Sequence, residues 1–133
     1  IREYGRYMDG LELRKAMATL REIWVSGNNY IAKTEPWKVV KTDKAYAGTI
    51  LNTALNLIRL FAQLSAPIMP TTCARMLDLI GEPAEYRWPT AKMAAYLTGV
   101  PAGRAFKQSE PLFQKIMPET AEALKIKYKE SEN

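Results

Sequence analysis

A central helix is predicted by residues 43–70, which read DKAYAGTILNTALNLIRLFAQLSAPIMP. Their apolar side chains recur at steps of three and four, which is the period of an α-helix with a buried face. Asp43 can cap the start of this helix, and Pro67 and Pro70 end it. Its polar stripe is narrow and consists of Asn52, Asn56, Arg59 and Gln63. We therefore expect neighbouring elements to cover most of the circumference of this helix.

A second amphipathic helix precedes the central one. Apolar side chains recur at helical spacing in residues 13–30, so the sequence predicts a helix with Asp9 as its N-cap. Its charged side chains fall on the other side and are expected to be solvated: Arg14, Lys15, Arg21 and Glu22. Pro36 ends this helix, and residues 33–42 are expected to form a break with one helical turn.

Beyond the central helix the sequence predicts shorter elements. Thr71 or Thr72 is expected to cap a helix of about ten residues. This helix ends at Gly81, because glycine readily adopts the left-handed conformation that terminates helices. Residues 82–112 are rich in proline and glycine, which indicates turns and extended connections around one short helix near residues 90–97.

A last helix is predicted to open at Met117-Pro118-Glu119, with proline at its first position and an acid in its first turn. The elements together predict an all-α fold. It is a helical bundle with up-and-down connectivity and an irregular segment, rich in proline and glycine, before the last helix. We expect residues 1–133 to form a single domain.

The composition excludes several classes of protein. The 133 residues are 47% hydrophobic and 25% charged, with a formal net charge of +5, which is typical of a globular domain rather than a disordered chain. No run of about 20 uninterrupted apolar residues is present to span a membrane. The absence of histidine excludes imidazole-based nucleophile pairs and most zinc sites. The sequence therefore predicts no catalytic residue and no metal site in this chain.

Two features of the sequence indicate the cellular compartment of the chain and its relation to a longer protein. Cys73 is its one cysteine, so we expect a packed, inert thiol in a reducing compartment, the cytoplasm. The first residues, Ile1-Arg2-Glu3-Tyr4, lack an initiator methionine and are too polar for a signal peptide. We therefore expect the chain to be a piece of a longer protein.

The candidate binding residues surround Trp37. This side chain follows Pro36 directly, at the end of a long predicted helix, and is flanked by Lys33, Lys38 and Lys41. Proteins hold unpaired nucleic-acid bases with such a combination, because an aromatic ring stacks on a base while lysines attract the phosphates. The alternative, which composition alone favours, is that Trp37 fills the gap where two helices meet.

The other large aromatic side chains have structural interpretations. Trp24 shares the apolar face of its helix with Met17 and Leu20 and is expected in the core. Trp88 is expected to pack as a lid on the edge of the bundle. The role of Tyr30 stays open, since its ring can be packed with only the hydroxyl exposed.

Three motifs, taken in order, resemble one known family. They are Asn28-Asn29-Tyr30-Ile31 followed by Pro36-Trp37, residues 55–66 followed by Pro67-Ile68-Met69-Pro70, and residues 103–107 followed by residues 110–116. Their order and spacing are similar to those of the C-terminal anticodon-binding domain of the methionyl-tRNA synthetases, a family of class I aminoacyl-tRNA synthetases. The likeness covers most of the chain.

The resemblance implies a helical anticodon-binding fold and a tRNA partner. It implies that Trp37 stacks on an exposed base of the CAU anticodon of methionine tRNA, with Pro36 fixing the approach and Asn28 near the same surface. The candidate phosphate contacts are then Lys33, Lys38 and Lys41. The resemblance also implies that the intact protein attaches methionine to tRNA with ATP and magnesium. That reaction belongs to a catalytic domain outside this chain, so we expect no cofactor here.

The chain departs from the family pattern at one place and leaves alternatives open. Ala32-Lys33 stands where the family has Asp-Glu, which replaces two negative charges by one positive charge and strengthens phosphate attraction. In the family, further anticodon contacts lie on a helix upstream, so base reading by this chain alone is expected to be incomplete. The alternatives are a helical module that binds a protein through Trp37 or Trp88, the anticodon domain of another class I synthetase, and an appendage that handles RNA without reading an anticodon.

Overall fold

The computed structural model of the protein describes residues 1–89, 97–101, 103, 105–108 and 110–129. Its helices, in chain order, are α1 (Arg2–Asp9), α2 (Leu13–Thr34), α3 (Pro36–Val39), α4 (Lys44–Ser65), α5 (Pro70–Leu79) and α6 (Pro118–Lys129). The described residues contain no strand, which confirms the all-α prediction. The described residues between α5 and α6 form no helix, as predicted for the irregular segment. The short helix predicted near residues 90–97 falls on positions of which 90–96 lie outside the described residues.

The core consists of two apolar clusters on opposite sides of α4. One lies between α4 and α5 and contains Ala62, Ala66, Cys73, Leu77, Ile80 and Val100. The other joins α1, α2 and α4 and contains Tyr4, Ala16, Leu20, Leu60 and Leu64. Cys73 is fully buried, which confirms that its thiol is packed, and burial raises the pKa of that thiol. Because each fully buried leucine stabilises the fold by about 1.5–3 kcal/mol, these two clusters fix the positions of the helices.

Helix α2 packs tightly on α4 at Gly27. A methyl group added at Gly27 would lie 2.5 Å from Cζ of Phe61, so only glycine fits at this position. Trp24 packs beside the same ring, with the ring centroids 6.3 Å apart. Its contacts with the cluster of α1, α2 and α4 confirm that Trp24 belongs to the core.

The corner between α1 and α2 differs from the prediction. Asp9 is the last residue of α1 and does not cap α2, which begins at Leu13. The chain is already helical upstream because Tyr4 is buried, and its hydroxyl donates a hydrogen bond to the carbonyl of Leu64 (2.8 Å). Leu11 then adopts a positive φ of 55° and turns the chain from one helix into the next. A helix N-cap at Asp9 is therefore wrong.

Other helix ends follow local chemistry. The Asp43 carboxylate accepts a hydrogen bond from the backbone N–H of Tyr46 (2.8 Å), which confirms the predicted cap of α4. Neither Thr71 nor Thr72 caps α5, because Pro70 occupies the first helical position, where its fixed φ is favourable. After α5, Gly81 has a φ of +70°, the left-handed conformation predicted for it.

The polar stripe of α4 is also covered by another part of the chain. We call residues 97–101 the strap, since this segment lies over the stripe. The backbone N–H of Val100 donates to Oδ1 of the fully buried Asn56 (2.8 Å), and Nδ2 of Asn52 donates to the carbonyl of Val100 (3.1 Å). The Arg59 guanidinium forms an ion pair with Glu82 (3.0 Å) beside the strap. The stripe therefore binds a segment that is distant in the sequence. The prediction that neighbours cover most of α4 is confirmed from Asn52 onward, whereas Tyr46 (53%) and Leu51 (51%) in the first turns are exposed.

Trp88 lies at the edge of the bundle, as predicted. Its ring stacks on Tyr4 with the centroids 5.5 Å apart, and its six-membered ring lies next to Gly5. Trp88 thereby covers one side of α1. In the described part of the chain, no helix is both long and apolar enough to cross a membrane.

Candidate nucleic-acid interface

The corner between α2 and α4 carries the candidate site, and we call residues 35–44 the α3 corner. Glu35 adopts a left-handed conformation (φ 41°, ψ 58°) that ends α2 and begins α3. Its backbone N–H donates to the carbonyl of Ile31 (3.0 Å), and its own carbonyl accepts from the N–H of Lys38 (2.8 Å). The N–H of Asp43 closes the far end of the corner on the carbonyl of Val39 (2.8 Å). These hydrogen bonds make the corner a defined turn rather than a loose connection.

Trp37 and Pro36 differ in exposure at the α3 corner. Pro36 is buried, whereas 54% of Trp37 is exposed to solvent. Among the described contacts, no aromatic ring or cation pairs with the ring of Trp37. A side chain that is more than half exposed does not fill the gap between two helices, so that alternative is wrong. Much of the indole is therefore accessible to a ligand.

The flanking lysines fall into two groups. Lys33 and Lys41 are exposed, and no ion pair of the described residues involves them. Lys38 is also exposed, but its ammonium group lies 2.6 Å from the carboxylate of Glu35. The structure thus leaves two of the three candidate phosphate contacts uncompensated and pairs the third.

The remaining candidate residues lie on α2. Asn28 is exposed, about 9 Å along the helix axis from Thr34, the last residue of α2. No hydrogen bond among the described residues joins Asn28 to Trp37. Tyr30 is half-buried and lines an apolar cavity of about 370 Å³ between α2 and α4, together with Phe61. Tyr30 is therefore only partly accessible, and its role stays open.

Sequence reasoning missed one functional feature of the α3 corner, the ion pair of Glu35. The signal was present, because a glutamate and a lysine three residues apart on a helical turn commonly form a pair. The left-handed backbone of Glu35 has no comparable signal, since glutamate rarely adopts it. Asp43, the other acid of the corner, accepts the N-cap hydrogen bond of α4.

The chemistry available at the α3 corner is stacking and charge attraction. The corner carries the exposed ring of Trp37 and the uncompensated ammonium group of Lys41, and Lys33 adds a second such group in the last turn of α2. The structure does not bring Asn28 to Trp37, because Asn28 lies further back along α2. Within the described ranges, no group of three or more potential metal ligands occurs. The arrangement suits the binding of an unpaired base and its phosphates.

Comparisons with known proteins agree with this geometry. A family model described as the anticodon binding domain of methionyl tRNA ligase matches residues 1–133. The chain is 42% identical over 129 residues to the methionine–tRNA ligase of Paracoccus denitrificans, covering 97% of this chain and 22% of that protein. Its identity to the methionine–tRNA ligase of Cereibacter sphaeroides strain ATH 2.4.9 is 42% over 116 residues, covering 87% of this chain and 20% of that protein.

A third relative gives the same result. The methionine–tRNA ligase of Caulobacter sp. strain K31 is 40% identical over 112 residues, covering 84% of this chain and 20% of that protein. The chain thus spans about a fifth of the length of the curated relatives that it matches. No solved structure shows a significant match. The family model covers the whole chain, and we conclude that the chain belongs to the family of methionyl-tRNA ligase anticodon-binding domains.

Proposed function

We propose that this chain binds the anticodon loop of methionine tRNA through the α3 corner. In this proposal Trp37 stacks on an unpaired base of the CAU anticodon, Pro36 fixes the direction from which the base approaches, and Asn28 offers a hydrogen-bonding amide near the same surface. The rest of a longer ligase, acting in the cytoplasm with ATP and magnesium, would attach methionine to the far end of the tRNA. The chain's own part is recognition.

One observation carries the proposal, the exposure of Trp37 on a fixed turn. A tryptophan that is 54% exposed loses much of the burial free energy that normally keeps this side chain inside. The hydrogen bonds of Glu35 fix the backbone of the turn that carries Trp37, so little ordering of the backbone is needed when a base stacks on the ring. Stacking of a base on an aromatic ring contributes about 1–3 kcal/mol to binding.

The lysines supply a second, sequence-independent contribution. Lys33 and Lys41 attract phosphates and release their counterions, so binding weakens as the salt concentration rises. Their contacts position the RNA, whereas base contacts distinguish one anticodon from another. We therefore expect salt to affect binding of every stem-loop and the anticodon sequence to affect only the base-dependent part.

The experiment that tests the proposal is a titration of a fluorescent CAU stem-loop with the chain, followed by anisotropy. Trp37→Ala should weaken binding by about 10- to 100-fold, which corresponds to the loss of one stacked base. The matched control is Tyr128→Ala on α6, because Tyr128 is also exposed (63%) and lies far along the chain from the α3 corner. This control should leave binding unchanged.

The outcomes separate the proposal from its alternatives. Preference for CAU over an altered anticodon, lost in Trp37→Ala, supports anticodon recognition. RNA binding that is equal for both anticodons identifies a domain that handles RNA without reading it. Absence of RNA binding, together with salt-insensitive capture of a protein that depends on Trp37, identifies a protein-interaction module.

A further inference from the structure

We propose that Glu35 is a positioning residue that limits the electrostatic share of RNA binding at the α3 corner, because it holds Lys38 in an ion pair. The inference rests on the proposed function, since it concerns the same surface. It assigns Lys38 a different role from Lys33 and Lys41, although sequence analysis treats the three lysines alike.

The geometry of the pair is specific. The Lys38 ammonium lies 2.6 Å from the Glu35 carboxylate, and the two residues are one turn apart on either side of Trp37. The Glu35 side chain is 39% exposed and that of Lys38 is 66% exposed, so an RNA phosphate can reach both. The same Glu35 backbone forms the left-handed junction at which α3 begins. One residue therefore sets both the turn that presents Trp37 and the charge beside it.

The ion pair changes what Lys38 can contribute to RNA binding. A phosphate that contacts Lys38 must displace the Glu35 carboxylate, which stays next to the new phosphate as a like charge. Because the Glu35–Lys38 pair carries no net charge, a phosphate that contacts it is neutralised less than one that contacts an unpaired lysine. Lys38 then adds less to the salt dependence of binding than Lys33 and Lys41 do.

The consequence is that Lys38 adds little general attraction for RNA beside Trp37. Attraction based on phosphates alone acts on any RNA, because every RNA carries the same backbone charge. By neutralising the lysine nearest to Trp37 in the sequence, Glu35 keeps this general attraction low where the base is held. An RNA with no unpaired base to stack gains little at this position.

The test measures the salt dependence of CAU stem-loop binding between 50 and 200 mM salt for four forms of the chain: wild type, Glu35→Gln, Lys38→Met and the double variant. Glu35→Gln keeps the size of the side chain and removes its charge. It should tighten binding at 50 mM salt and steepen the plot of log affinity against log salt by about 0.7, the value for one phosphate contact to a single strand. Over this range the steeper slope amounts to about a threefold larger loss of affinity.

The double variant shows whether Lys38 causes the change. Lys38→Met in the Glu35→Gln background should return the slope to that of the wild type, because the lysine released from its pair is gone again. The matched control is Glu122→Gln on α6, which breaks another exposed glutamate–lysine pair of the same spacing (Glu122 to Lys125, 3.2 Å). The control should leave the slope at its wild-type value, and the unfolding midpoints of all forms should agree.

Two results would overturn the inference. If the plot of log affinity against log salt has the same slope for Glu35→Gln as for the wild type, the ion pair does not reduce the contribution of Lys38 to RNA binding. A steeper slope that persists in the double variant would show that another cation is responsible. Failure of the proposed function is distinguished by Trp37→Ala: if that variant binds as the wild type does, the α3 corner is not the RNA surface, whatever the slopes are.

Discussion

The α3 corner differs from the covered part of the bundle, which comprises Trp88 packed on α1 and the polar stripe of α4 beneath the strap. Both regions contain a tryptophan next to a proline and a pair between a basic side chain and a glutamate. At the corner Trp37 is 54% exposed without a ring partner, and the side chains of Glu35 and Lys38 are 39% and 66% exposed. In the covered region Trp88 is 40% exposed and stacks on Tyr4.

Three polar side chains of the stripe on α4 are paired within the molecule, namely Asn52, Asn56 and Arg59. The Arg59–Glu82 pair is only 23% and 12% exposed, and Asn56 is fully buried against Val100. The residue types of the two regions are alike, so composition cannot separate a binding surface from a structural one. The contacts within the molecule separate them. Groups that the fold has already paired stabilise it, and groups that it leaves unpaired at a fixed position are available to a ligand.

The largest expected difference concerns the two ion pairs. Arg59→Met removes the guanidinium that compensates the mostly buried Glu82 carboxylate, and it should lower the free energy of unfolding by about 2–3 kcal/mol. Lys38→Met removes one partner of a pair in solvent and should change that free energy by less than about 0.5 kcal/mol. Urea denaturation followed by circular dichroism measures both. Equal losses of unfolding free energy in the two variants would contradict this prediction, because the two ion pairs would then stabilise the fold equally.

A smaller difference is expected for the two tryptophans. Trp88→Ala removes the stack on Tyr4 and uncovers α1, so it should lower the free energy of unfolding by about 1–2 kcal/mol. Trp37→Ala should leave this free energy nearly unchanged, because more than half of the side chain is already in solvent and neither core cluster includes it. The thermal midpoints of the two variants, measured beside the wild type, check this prediction. If Trp37→Ala were as unstable as Trp88→Ala, Trp37 would be a residue that stabilises the fold.

The smallest effect is expected at the left-handed junction. Glu35→Gly removes the strain of a non-glycine residue at a φ of 41° and should raise the free energy of unfolding by up to about 1 kcal/mol. Glu35→Ala serves as the control, because alanine keeps the strain and loses the same charge. If both variants have the stability of the wild type, the backbone of Glu35 stores no strain.

The sequence predicted much of the fold because the main signals are local. Proline stops α2, Asp43 caps α4 and Pro118 opens α6, and each acts through its own backbone geometry or hydrogen bond. Helix α1 was not predicted from the sequence, although Tyr4 and Met8 lie four residues apart. The eight residues of α1 are too few for a clear periodic pattern. The buried Tyr4 is held in place by its hydrogen bond to the carbonyl of Leu64, which is distant in the sequence.

The partner of the polar stripe on α4 could not be predicted for a similar reason. A row of Asn52, Asn56 and Arg59 on a helix is compatible with solvent or with a covering segment. The strap that covers it lies more than 40 residues away in the chain, at Val100. Local pattern carries no information about such a contact.

The sequence predicted the residues of the candidate site but not their exposure or the contacts between them. Pro36-Trp37 and the lysines are visible in the sequence, whereas the burial of Pro36 and the exposure of Trp37 depend on how the folded chain turns at this corner. The pairing of Lys38 with Glu35 depends on the turn at Glu35, which follows from no local preference. Residue types therefore point to a class of ligand, and the turn decides which groups are free to bind it.

The most direct test of base stacking on Trp37 is a cycle that removes the ring and the base separately and together. Stem-loops with an abasic site at each anticodon position in turn would be titrated with wild type and with Trp37→Ala, and the affinities compared. We expect one position at which the abasic site and Trp37→Ala each cost about 1–3 kcal/mol, while the two together cost no more than either alone. Additive losses at every anticodon position would contradict stacking on Trp37.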